Sequence, residues 1–149
     1  MDNQNLGLST VRSDEDNSFI AQLTNSKVTA WSSLKTDSPE EKAKFYNVMN
    51  NPEKRVAAMI GKVIRVKDVF VEIVELVKPE TGEINSCPRT VLIDDKGVGY
   101  QAVSIGVFSA IKKLFDVYGT PDKWKAPIAL EVQQIQKGTK NILTFKIHE

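Results

Sequence analysis

Aromatic side chains next to cations or tight turns are the residues of this sequence whose chemistry is most informative. Trp124 stands between Lys123 and Lys125, and Tyr100 follows Gly99 in a glycine-rich stretch. A cation can hold a phosphate and an aromatic face can stack on a base, and neither contact depends on which base is present. The alternative is that Trp124 anchors a loop and that Tyr100 caps a hydrophobic core with its hydroxyl in water. The elements that position these side chains decide between the two interpretations.

Histidine and cysteine are nearly missing from the chain. His148 is next to the last residue, and Cys87 is the single thiol. This shortage excludes a Cys/His zinc cluster and an interior Cys–His pair for nucleophilic catalysis. Carboxylates remain as ligands for a hard cation, but Asp94-Asp95 and residues 14–16 lack calcium-loop spacing. We therefore predict a protein that is not an enzyme, with no catalytic residue, metal or cofactor. A metal-dependent nuclease stays as an alternative.

The composition is that of an ordinary globular domain: 149 residues, 41% hydrophobic and 26% charged, with a net charge of +1. No apolar run is long enough to span a bilayer, and the polar start MDNQNLGLST does not resemble a signal peptide. We therefore predict a cytoplasmic protein without a membrane partner. The small net charge means that a nucleic-acid binder would need its basic residues gathered on one surface.

The first 59 residues divide into two parts. Residues 1–35 are polar without a sustained period, which predicts a flexible or docking arm. Four apolar side chains of this arm could dock on the domain or on a neighbouring subunit: Phe19, Ile20, Leu23 and Trp31. In residues 36–59, Ser38 and Glu41 form a capping-box pattern and Pro39 suits the first helical position. The second part is therefore predicted to be a helical lead-in.

Residues 60–149 have the period-two pattern of a β domain. The apolar positions change parity between Val66 and Val69, which predicts a bulge or bend near Lys67-Asp68 in one long first strand. Four more strands and one helix follow, at 87–95, 98–102, 104–119 (the helix), 128–136 and 141–147. Three strands, a helix and two strands, with a bent first strand, is the order of the OB-fold. We predict a mainly β, five-stranded OB-like Greek-key barrel with the helix between strands three and four.

An OB barrel binds oligonucleotides or oligosaccharides on strands two and three, between the loops that join strands one to two and four to five. Here those loops are 78–86 and the hairpin around Gly138. Mapped on this plan, the predicted nucleic-acid-binding residues are Tyr100, Arg65, Lys67, Phe70, Arg89, Trp124, Lys137 and Lys140. The alternatives are that Phe70 packs beneath the short helix and that the cations are ordinary surface residues.

The stretch TVLIDDKGVGYQAVSIGVFSAIKKLFDVYG, followed by IALEVQQIQKGTKNILTFKI, resembles the single-stranded DNA-binding proteins of small protein-primed bacteriophages. The shared features are a strand ending in an acidic–Gly turn, a Tyr just before the helix, a strand ending in Gln or Gly, and a Lys-Gly hairpin into a final apolar strand. The likeness covers about Thr90 to Ile147. This chain departs from the family in its longer N-terminal region and in having fewer tyrosines in the strands before Tyr100.

The resemblance implies a protein that coats and protects strands displaced during phage DNA replication in the host cytoplasm, largely independently of sequence. It also implies that Tyr100 contributes to DNA binding. The expected partners are single-stranded DNA, further copies of the chain through the N-terminal arm, and replication proteins. A homo-oligomeric structural or protein-interaction module is the alternative.

Overall fold

The computed structural model describes residues 10–11 and 30–148. This part of the chain is mainly β. Its strands are β1 (Thr10–Val11), β2 (Ala30–Ser32), β3 (Lys54–Arg55), β4 (Val63–Val77), β5 (Ile84–Asp94), β6 (Gly99–Val103), β7 (Ile128–Lys137) and β8 (Lys140–Ile147). Its helices are α1 (Pro39–Asn50) and α2 (Ile105–Tyr118), with 3-10 turns at Val56–Met59 and Pro121–Lys123. The five predicted strands are present as β4 to β8, but three short strands precede them in the sheet, so the predicted strand count is not confirmed.

The bent strand β4 organises the sheet. Its register with β5 shifts between Val66 and Asp68, which confirms the predicted bulge. Before the shift, Val63–Val66 pair with β7, and after it β4 pairs with β5 up to Val77. Because the two parts of one strand face different partners, the sheet curls into a half-barrel that is compatible with an OB-like barrel. The connection from β4 to β5 spans 78–83 and is shorter than predicted.

The half-barrel stays open along one side. Within the described residues, β8 pairs with β7 alone, while β6 lies between β5 and β3. Helix α2 packs against both β8 and β5. A Cβ atom on Gly106 would lie 2.6 Å from Ile142 Cγ2 and 2.7 Å from the Leu143 carbonyl oxygen. Glycine therefore lets the first turn of α2 lie directly on β8.

Both helices begin as their sequences predict. Ser38 Oγ accepts a hydrogen bond from Glu41 N, and Glu41 Oε1 accepts one from Ser38 N, both at 3.1 Å. The capping box is therefore complete, with Pro39 at the first position of α1. Helix α2 follows β6, with Ser104 as its N-cap, and ends at Gly119, where φ is 78°. A positive φ is a conformation that glycine adopts readily.

The second half of strand β5, from Thr90 to Asp94, is buried on both faces because hydrophobic residues pack on each side of the sheet. The larger core lies between the sheet and α2 and includes Leu92 and Ile111. A second core lies under α1. It contains Phe45, Val48 and Met49 of the helix. They pack against three almost completely buried residues of the sheet: Phe70, Val91 and Ile93. The face of β4 and β5 under α1 is therefore closed to solvent.

Part of the predicted arm belongs to the sheet. Strand β2 pairs antiparallel with β4, placing Trp31 opposite Val71. Trp31 is completely buried and its ring centroid lies 5.3 Å from that of Phe115. The boundary at residue 35 stays a prediction, and Phe19, Ile20 and Leu23 lie outside the described residues. Across the described segments, neither helix combines the length and the apolar character needed to cross a membrane.

Candidate nucleic-acid interface

A groove of about 890 Å³ runs between the start of β4, helix α1 and the segment that follows α2. Three of the predicted binding residues line it: Arg65, Lys67 and Trp124. Arg65 and Lys67 alternate along β4 with the buried Ile64 and Val66, so that both cations point away from the core. The groove therefore joins cations of the sheet to an aromatic residue of a distant loop.

Three lysines that the prediction of binding residues missed also line the groove: Lys35, Lys44 and Lys125. All three are exposed. Four carboxylates share the same walls: Glu41, Asp68, Asp95 and Asp122. Positive and negative side chains are nearly balanced, so that the positions of individual cations matter more than the net field. Such a surface holds phosphates by direct contact rather than by long-range attraction.

The ring of Trp124 is held in place from one edge. Its Nε1 donates a hydrogen bond to the Gly119 carbonyl oxygen at 2.9 Å, and its ring meets Phe115 edge-on with centroids 6.3 Å apart. The side chain is partly buried by these contacts, and it also lines the groove. Trp124 thus anchors its loop, as the alternative interpretation proposed. The same contacts fix the orientation of the indole, so little conformational entropy is lost when a partner stacks on it.

Asp68 lines the groove, and its pKa is raised. Ser33 Oγ donates a hydrogen bond to Asp68 Oδ1 at 2.9 Å. Burial raises the pKa of Asp68 above its ordinary value of 3.8, although the Ser33 hydrogen bond partly opposes the shift. Three lysines also favour the charged form: Lys67, Lys44 and Lys35. The lysines are therefore close enough to act together on a charge in this groove.

Tyr100 does not stand on an open surface, and the expectation that it does is wrong. Its side chain is 7% exposed and belongs to the larger core. The hydroxyl donates a hydrogen bond to Asp94 Oδ2 at 2.9 Å. Asp94 Oδ1 in turn accepts from the backbone N–H groups of Lys96 and Val98. Tyr100 and Asp94 therefore hold the turn that precedes β6, and the ring has no face available to a base in this conformation.

Tyr100→Phe is expected to alter how stability depends on alkaline pH. Burial first, and then the hydrogen bond and charge of Asp94, raise the pKa of Tyr100 from 10.0 to about 12. A raised pKa in the folded state means that the tyrosine contributes stability below pH 10, and that this contribution is lost as the pH rises to about 12. The free energy of unfolding of the wild type should therefore fall more steeply than that of Tyr100→Phe between pH 10 and 12.

Urea denaturation at several alkaline pH values measures this difference. Tyr46→Phe is the matched control, because Tyr46 is 58% exposed on α1. A constant difference between the wild type and Tyr100→Phe across this range would contradict the buried hydroxyl contact.

Phe70 is also buried, which contradicts its expected role as an exposed platform for bases. It is 0% exposed and meets Phe45 of α1 edge-on, with ring centroids 5.7 Å apart. The alternative, in which Phe70 packs beneath the short helix, is the arrangement found. Along β4, Phe70 points to the face opposite Val69 and Val71, and α1 covers that face.

Arg89 lies on the second predicted strand, here β5, but its side chain is engaged inside the protein rather than directed to solvent. Its Nη1 donates to Glu72 Oε2 and its Nη2 to the Met49 carbonyl oxygen, both at 2.8 Å. Its Nε donates to Gln101 Oε1 at 3.1 Å, and the side chain is 12% exposed. The guanidinium thus joins the end of α1 to the sheet, and a phosphate would have to displace several good hydrogen bonds to reach it.

Lys137 and Lys140 lie outside the groove lining. They pair directly across the hairpin between β7 and β8, where Gly138 adopts a φ of 62°, and both are exposed. The hairpin itself confirms the sequence prediction. Its role in nucleic-acid binding stays a prediction.

A family model described as phage single-stranded DNA-binding protein, of the Phi29 type, matches residues 24–148. The chain belongs to this family. The match begins far upstream of Thr90 and so extends beyond the segment in which the sequence pattern is recognisable. No curated protein and no solved structure matches the chain.

Because the chain belongs to a family of single-stranded DNA-binding proteins, single-stranded DNA is the ligand with which the groove is compared. Self-association through the arm and contacts with replication proteins stay predictions. Among residues 10–11 and 30–148, no group of three or more His, Cys, Asp or Glu side chains is placed to hold a metal ion. The groove brings basic residues and an aromatic residue together on one surface. Of the three lysines missed, Lys125 has a signal in the sequence, since it adjoins Trp124.

Proposed function

We propose that this protein coats single-stranded DNA displaced during phage replication, with little preference for sequence, and that it holds the strand in the groove of Arg65, Lys67 and Trp124. The observation that carries this proposal is the convergence of these residues with exposed lysines on one concave surface. Family membership supports the ligand class, and the groove supports the location.

The chemistry of the groove suits an unpaired strand. Cations follow a sugar–phosphate backbone, and an aromatic ring stacks on whichever base lies against it. In duplex DNA the faces of the bases are occupied by their stacked neighbours, so that Trp124 could not stack without separating them. We therefore expect single strands to be preferred over duplexes. Neither contact depends on the identity of the base, so we expect a weak sequence preference.

Fluorescence anisotropy with a labelled dT oligomer, at low and at moderate salt, tests the function directly. Binding should weaken as salt rises, because phosphate contacts release counterions with a slope of about −0.7 in log K against log salt for each phosphate neutralised on a single strand. A duplex of the same length serves as the comparison. No binding to dT at low salt would overturn the proposed function.

The location is tested with two double variants of matched chemistry. Lys67→Gln with Lys125→Gln removes two cations from the groove, whereas Lys137→Gln with Lys140→Gln removes two from the β7–β8 hairpin. Loss of two phosphate contacts should reduce the magnitude of the salt slope by about 1.4. We expect this reduction for the groove variant. The same reduction in the hairpin variant alone would place the strand on the hairpin instead.

A further inference from the structure

We propose that Asp95 is an internal competitor for DNA, which occupies Arg65 in the free protein and must release it when a phosphate binds. This inference rests on the proposed function, because it concerns the same groove. Arg65 Nε donates to Asp95 Oδ2 at 3.0 Å, and both residues line the groove. A carboxylate and a phosphate offer the same kind of acceptor to a guanidinium, so that one can take the place of the other.

The turn that carries Asp95 is held firmly while the carboxylate itself can move. The Asp94 carbonyl oxygen accepts from Gly97 N at 3.0 Å, and Asp94 Oδ1 accepts from Lys96 N at 2.8 Å. Tyr100 fixes the other carboxylate oxygen of Asp94 from the core. Asp95 is therefore presented at a constant position against Arg65, and rotation of its side chain alone is enough to break the contact.

The ion pair between Arg65 and Asp95 is weak enough to exchange. The side chains are 57% and 34% exposed, and solvent-exposed pairs of this type contribute little to stability. A nucleic-acid strand brings several phosphates at once, and other cations of the groove hold their neighbours. The competing carboxylate should thus lower the affinity for DNA without preventing binding. It should also keep Arg65 from holding isolated anions.

The competition has a distinctive effect on salt dependence. When a phosphate replaces Asp95 at Arg65, the released carboxylate attracts a cation from solution and offsets the counterion that the phosphate releases. Asp95→Asn removes this offset. We expect Asp95→Asn to bind dT about two- to fivefold more tightly than the wild type, and to steepen the salt slope by about 0.7. Asp95→Ser should give the same result, since serine is also common in turns.

A double-mutant cycle with Arg65→Gln separates competition from a general change of charge. If Asp95 acts through Arg65, the gain from Asp95→Asn should disappear in the Arg65→Gln background. Asp122→Asn is the matched control, because Asp122 lines the same groove at 32% exposure but pairs with Lys123. Its effect should stay below about twofold, because its partner Lys123 does not line the groove and Asn can still accept the hydrogen bond from Thr120.

The outcomes distinguish failure of this inference from failure of the proposed function. A gain that persists in the Arg65→Gln background, or that Asp122→Asn equals, would overturn competition. So would an unchanged affinity in Asp95→Asn while Arg65→Gln weakens binding, although the groove would then still bind DNA. If Arg65→Gln, Asp95→Asn and Trp124→Ala all leave the affinity unchanged, the groove is not the binding site, so this inference and the proposed location both fail. Absence of dT binding by the wild type would instead overturn the proposed function itself.

Discussion

Phe70→Ala is expected to lower the free energy of unfolding by about 3–5 kcal/mol. Phe70 is 0% exposed and packs edge-on against Phe45 of α1. Its removal would leave a cavity between the helix and the sheet, beside Val91 and Ile93. The lost transfer energy and the cavity both act in the same direction. Urea denaturation followed by circular dichroism measures the change.

Tyr46→Ala provides the control for Phe70→Ala. Tyr46 is a large aromatic residue on α1, the helix that covers Phe70, but it is 58% exposed. Its truncation should therefore change stability by no more than about 0.5 kcal/mol. Single-stranded DNA binding by Phe70→Ala, corrected for the folded fraction, should match the wild type. A stable Phe70→Ala protein with lost DNA binding would restore Phe70 as a platform for bases.

Trp124→Ala should weaken binding of a dT oligomer by about 1–3 kcal/mol, which is about 5- to 150-fold, because base–aromatic stacking contributes that much. Trp124 is the aromatic residue that lines the groove with Arg65 and Lys67. Truncation also removes the hydrogen bond to the Gly119 carbonyl oxygen and the contact with Phe115. Phe115→Leu therefore serves as a control for the loss of packing, and Trp124→Phe as a control that keeps an aromatic face.

Intrinsic fluorescence offers an independent measurement of the same contact. The chain has two tryptophans, and Trp31 is 0% exposed in the core. Because a base can stack only on an accessible ring, quenching of emission by dT should come from Trp124 and be lost in Trp124→Phe. Trp124→Phe should still bind DNA, with a smaller loss of affinity than Trp124→Ala. Quenching that persists in Trp124→Phe would contradict the assignment.

The proposed binding in the groove is compatible with a net charge of only +1. Arg65, Lys67 and Lys125 approach one surface, and carboxylates that share its walls make contacts of their own. Glu41, for example, lines the groove but accepts hydrogen bonds from the backbone at the start of α1. The arrangement of charges, rather than their sum, decides what the surface can bind.

Local features were predictable from the sequence because they depend on neighbours in the chain. The capping box at Ser38, the end of α2 at Gly119 and the bulge between Val66 and Asp68 follow from backbone preferences and from period-two patterning. The hairpin around Gly138 follows in the same way. The family resemblance was also recognisable in the sequence, although its match is longer than the segment that carries the pattern.

The tertiary structure alone decided which surface is open. Periodicity shows that Phe70 and Ile73 lie on opposite faces of a strand, but it does not show what covers either face. Here α1 covers one face of the sheet. Tyr100 turns into the core, where its hydroxyl donates a hydrogen bond to Asp94. The groove itself joins residues from 33 to 127, which only folding brings together. A sequence determines local conformation through contacts between near neighbours, whereas solvent exposure depends on every segment that packs above a residue.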